Sequence, residues 1–149
     1  MSLSMYDELF VTSAIIFFLS TTGIFLSQKK GYNKLVRGFG IAMLSLTIPL
    51  ALVFINYLLI GQELWVMIYL VIIFAYFLVE LLLDFVFHFE FRKKPSTHIP
   101  YIILYYATSL GFIGISFYID MICGWIISIS FWAVLASLTY LYVCKKTKK

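Results

Sequence analysis

The sequence predicts an all-α integral membrane protein: a single domain over 1–149, built as a five-transmembrane-helix bundle with its N-terminus outside and its C-terminus cytoplasmic. Three observations lead there. The chain is 63% hydrophobic and only 12% charged, about half the charge that covers a soluble domain. Its apolar residues fall in five runs, near 9–28, 38–61, 64–89, 98–119 and 122–144, each close to the ~20 residues that cross a bilayer. Finally, all 11 Lys and Arg lie in the first loop (Lys29, Lys30, Lys34, Arg37), the third loop (Arg92, Lys93, Lys94) or the C-terminal tail (Lys145, Lys146, Lys148, Lys149). Five spans put those three segments on one face. The opposite face holds Asp7, Glu8, Glu63 and Asp120 and no base. Lys/Arg bias in short loops sets orientation with the basic side cytoplasmic, which fits a plasma (inner) membrane protein.

Each run has its own features. The first has acids before it and bases after it, the reverse of a secretory signal, so it reads as a retained span. The second carries Pro49 near its middle, which removes a backbone donor and should kink it. The third holds Glu80, Asp84 and His88. The fourth has Pro95 and Pro100 at its entry, where a helix start tolerates proline, and small residues at Ser109, Gly111 and Gly114. The fifth has Ala133, Ala136 and Ser137. Small faces of this kind let helices approach closely and are expected to serve self-association or a membrane-protein partner. Cys123 and Cys144 sit at opposite ends of the fifth span, about 30 Å apart, too far to bridge.

Aromatic residues agree with this threading. Tyr57, Trp65, Tyr118 and Trp125 fall at the outer ends and Tyr101, Tyr140 and Tyr142 at the inner ends, where amphipathic rings favour the headgroup level. Bases in the inner loops, Arg92, Lys93 and Lys94 among them, are placed to meet anionic lipid headgroups. Spread in short islands between apolar runs, the bases do not form a nucleic-acid surface.

One constellation has chemical potential. Tyr76, Glu80, Asp84 and His88 recur every four residues, and a step of four leaves neighbours only ~40° apart around a helix. They form one polar stripe on the third span. Glu80 lies about 13 Å from the inner end by helix rise. A central acid disfavours insertion by roughly 2.5–3.5 kcal/mol, so the stripe should face the bundle interior or a wet cavity.

Two uses of the stripe stand open. It could bind a cation or proton at Glu80 and Asp84, with Tyr76, His88 and Asn56 lining the site, in a small transport protein. It could instead hold the bundle together through hydrogen bonds, or dock a partner, in a non-catalytic accessory or scaffold subunit. A third reading, a metal-dependent intramembrane enzyme acting on lipid, has Asp84, His88 and His98 as metal ligands, but no HExxH or paired-His motif supports it. No cofactor is strongly implied. No span contains a lysine for a retinal Schiff base, and no nucleophile elbow, phosphate loop or dinucleotide fingerprint is present.

Overall fold

A computed structural model describes residues 4–82 and 95–143, with side chains given except at 95–98. Asp84, His88, Arg92, Lys93, Lys94, Cys144, the C-terminal bases and the His98 side chain lie outside the described residues. Of the described residues 94% are helical, and none is in a strand. The helices are α1 (Met5–Lys30), α2 (Asn33–Ser45), α3 (Thr47–Ile60), α4 (Leu64–Glu80), α5 (Pro95–Ile119) and α6 (Met121–Val143).

Four helical stretches are long and apolar enough to cross a membrane: α1, the run Asn33–Ile60 formed by α2 and α3, Ile99–Ile119 of α5, and α6. This points to a membrane-embedded protein. The 17 described residues of α4 are equally apolar but shorter. The surface supports the same conclusion. Ile48, Leu59, Leu64, Ile122 and Trp132 are among many large apolar side chains exposed on the outside, while Ser13, Thr21, Glu80, Thr108 and Ser109 are buried within. A soluble monomer rarely shows so much contiguous apolar surface. Ser13, Thr21 and Ser109 avoid an unmet donor by bonding back along their own helices, to Leu9 O at 2.7 Å, Phe17 O at 2.9 Å and Tyr105 O at 2.9 Å, whereas the Thr108 hydroxyl has no hydrogen-bond partner among the described residues.

The termini of the helices follow from local chemistry. Ser4 caps α1 in a reciprocal box with Asp7, satisfying backbone donors that the first turn leaves open. Gly31 (φ 76°) and Gly61 (φ 68°) end α1 and α3 in the left-handed conformation, where a Cβ is disfavoured. The amides of the residues that follow them close back onto Ser27 O and Tyr57 O, both at 3.0 Å, the usual way to satisfy terminal carbonyls. Asp120 alone separates α5 from α6. Its Oδ1 accepts from the amides of Ile122 (2.8 Å) and Cys123 (3.3 Å), capping α6.

The break expected from Pro49 is present, three residues earlier, at Leu46 between α2 and α3. Proline has no N–H for the Ser45 carbonyl, and its ring crowds that oxygen. Side-chain hydroxyls bond carbonyls around the break: Ser45 Oγ to Ala42 O and Thr47 Oγ1 to Leu44 O, both at 2.7 Å. The helix that carries the second apolar run begins before residue 38. Helix extends back to Asn33 and carries Lys34 and Arg37, because a helix continues through polar residues that a hydropathy boundary excludes. Similarly, Pro100 lies inside α5, one turn beyond the start at Pro95, and not at its entry.

α1 is the central helix, packed against α2, α3, α5 and α6. Phe17, fully buried, meets the rings of Phe112 (4.9 Å), Phe18 (5.2 Å), Tyr76 (5.8 Å), Phe77 (5.9 Å) and Tyr105 (6.1 Å). Apart from Glu80, the described charges separate to two ends. Tyr57 donates to Asp7 at 2.6 Å, Trp65 donates to Glu63, and Tyr118 donates to Gln62 at 3.3 Å, so these residues and the Asp120 corner share an acidic end. At the basic end Lys29 Nζ sits 3.0 Å over the Tyr140 ring and donates to the Tyr140 carbonyl at 3.1 Å, tying α1 to α6.

The small residues of α5 do not form one seam. A Cβ on Gly111 would lie 3.0 Å from Tyr69 Cδ1 and 3.3 Å from its Cβ, so Gly111 is where α4 and α5 touch; a Cβ on Gly114 would meet nothing within 4 Å. Ser109 and Ser137 are buried inside this chain as well, which leaves Ala133 and Ala136 facing outward. Gly111→Ala is therefore expected to destabilise the bundle by about 1–3 kcal/mol through overpacking. Gly114→Ala should be neutral or stabilising by up to about 1 kcal/mol through helix propensity. Detergent unfolding of the two variants side by side checks this.

Candidate functional site

Glu80 ends α4 and is 4% exposed. The four-residue spacing places Tyr76 one turn before it on the same inward face, and Tyr76 is also buried. Facing them on α5 is Tyr101, whose hydroxyl donates to Glu80 Oε2 at 2.6 Å and lies 3.1 Å from the Tyr76 hydroxyl. A phenol has one proton to give. With that of Tyr101 on Glu80, Tyr76 is the donor to Tyr101, and two hydroxyls in series point at the carboxyl. The rings pack as well, Tyr76 with Tyr101 and with Tyr105 at centroid distances of 5.8 Å.

These groups line a cavity of about 320 Å³ between α1, α4, α5 and α6, with Met43 of α2 at its side. Along α1 its wall runs from Thr21 to Gln28, and along α6 from Val134 to Tyr142, a depth of about 10–12 Å by helix rise. The cavity thus occupies the half of the bundle next to the basic end. Most of its surface is apolar, contributed by Ile24, Ile102, Val134, Leu135, Leu138 and Leu141. Tyr105 lines it too. The Tyr105 hydroxyl is buried, with the hydroxyls of Ser109 and Thr21 beside it.

The structure brings together Tyr76 and Glu80 of the expected site and does not bring in Asn56. That residue is half-buried on α3, four residues from the helix end at the acidic side, whereas Glu80 lies at the far end of α4. The helices run antiparallel, so the two are separated by roughly 18 Å along the bundle. Asp84 and His88, and the metal reading that joins them to His98, lie outside the described residues. Among the described residues no group of three or more His, Cys, Asp or Glu is placed to hold a metal.

Two residues expected at the interfaces are instead inside. Tyr101 belongs to the Glu80 cluster, and Tyr57 is 2% exposed against Asp7. Trp125, Tyr118, Tyr140 and Tyr142 are exposed at the helix ends as expected. Tyr101 and Tyr105 were legible as partners in one respect: they repeat, on α5, the four-residue spacing of Tyr76 and Glu80 on α4. No protein-family model, curated protein or solved structure matches this chain.

Proposed function

We propose that this chain is a five-pass membrane protein that binds a cation or proton at Glu80 and carries it between the cavity and the far side of the bilayer. The observation that supports the reading is a carboxyl 4% exposed, lining a cavity of about 320 Å³ in the half of an apolar bundle next to its basic end. An acid in such surroundings is costly to keep, and holding the bundle in register does not require a cavity beside it. In this reading the basic end, with the cavity behind it, faces the cytoplasm of a plasma-membrane protein, following the Lys/Arg bias. Asp84, four residues after Glu80 in the sequence, is proposed as the second acid of the site. Arg92, Lys93 and Lys94 meet lipid headgroups, and Ala133 and Ala136 serve a second copy or another membrane protein.

Flux in reconstituted vesicles tests the proposal. Wild-type protein should carry a Glu80-dependent proton or cation current, and Glu80→Gln should reduce it at least tenfold with the helical content unchanged. Equal flux in the two proteins rejects transport through Glu80.

A further inference from the structure

The walls of the cavity say which kind of cation fits it. A small inorganic ion must replace its water shell with about six or more oxygens. Several of the oxygens in the lining are already committed: Tyr76 and Tyr101 to each other and to Glu80, and Thr21 to Phe17 O. The aliphatic wall of Val134, Leu135, Leu138 and Leu141 on α6 has no part to play with a bare ion. Its volume of about 320 Å³ would hold roughly ten waters at ~30 Å³ each, and lies at the small end of the range for organic ligands.

The same lining complements an organic ammonium. A carboxyl meets the charge, and four tyrosines, Tyr76, Tyr101, Tyr105 and Tyr106, are in the lining, a residue type whose aromatic quadrupole favours alkylated nitrogen. Resting on the proposal that Glu80 binds a cation, we infer that the cation is a protonated lipophilic amine. Its N–H addresses Glu80, and its apolar body lies against the α6 wall. An amine with an alkyl or aryl body also partitions into lipid, which gives it a route to a site walled by membrane-length helices.

The test is isothermal titration of the full chain in lipid nanodiscs with N,N-dimethyloctylamine at neutral pH, with empty nanodiscs subtracted. Octanol and octanoate serve as neutral and anionic probes of the same body. Saturable binding of the amine is expected, with octanol at least tenfold weaker. Glu80→Gln should weaken the amine at least tenfold. Leu138→Trp, which fills the cavity and leaves the carboxyl intact, should abolish binding and carries the test if Glu80→Gln does not fold. Octanol or octanoate binding as well as the amine, or undiminished amine binding in Leu138→Trp, overturns the inference. Absence of amine binding beside a Glu80-dependent proton or sodium flux overturns it and leaves the transport proposal standing. Absence of both rejects the two together.

Discussion

Phe17→Ala is expected to be the most destabilising single truncation in the chain. Phe17 is fully buried on the central helix and touches five other rings, from α1, α4 and α5. Truncating a buried Phe typically costs ~3–5 kcal/mol in soluble proteins, part of it lost transfer energy and part the cavity left behind. In a bilayer the transfer part shrinks, because lipid is about as apolar as the core and packing supplies the association. The lower half of that range is therefore expected. Phe17→Leu, which keeps most of the volume, should lose much less. Unfolding in mixed micelles by titration with a denaturing detergent measures both. A Phe17→Ala variant as stable as wild type would show that α1 is not the centre of the bundle.

The second large effect concerns the Tyr76–Tyr101–Glu80 chain. Tyr101→Phe keeps the ring and removes a donor 2.6 Å from a buried carboxyl. Leaving a buried polar group short of a partner costs about 1–3 kcal/mol, and more where the group is charged. The same substitution should matter far less when Glu80 is already Gln. A double-mutant cycle of Tyr101→Phe with Glu80→Gln isolates the coupling. A coupling of about 1.5–3 kcal/mol marks a bond to an ionised carboxylate, whereas neutral interhelical bonds in membranes average only about 0.6 kcal/mol. The cycle thus reports the charge state of Glu80 in the resting protein, which bears directly on whether the site holds a proton. Zero coupling would mean that the two groups are not bonded in the membrane.

Much of this arrangement is legible in one dimension because it depends on one-dimensional regularities. Apolar run length gives the helices, and the spacing of four puts Tyr76 and Glu80 on one inward face, as found. Pro49 announces a break because its lost hydrogen bond is a local fact. The failures share a different cause. Asn56 is polar and in a neighbouring helix, but only the antiparallel run of α3 against α4 decides its depth, and that puts it at the opposite end. Tyr57 and Tyr101 stand near helix ends, where tyrosine ordinarily serves the interface. Whether such a ring turns outward or inward depends on an acid across the bundle: Asp7 for Tyr57, Glu80 for Tyr101. Gly111 and Gly114 look alike in sequence, and only the presence of Tyr69 opposite one of them separates a seam from an open position.

The central claim is that Glu80 shares a cavity with the α6 wall and that this cavity is reached from the basic face. Its most direct test is a single cysteine at Leu138, in a background with Cys123→Ser and Cys144→Ser, probed with a membrane-impermeant cationic thiol reagent. Right-side-out and inverted vesicles expose the two faces in turn. The account predicts modification of Leu138→Cys only from the face that bears the C-terminus, slowed by N,N-dimethyloctylamine, and none at Ile129→Cys on the outward side of α6. Modification only from the face that bears Asp7, or from neither face, would contradict it.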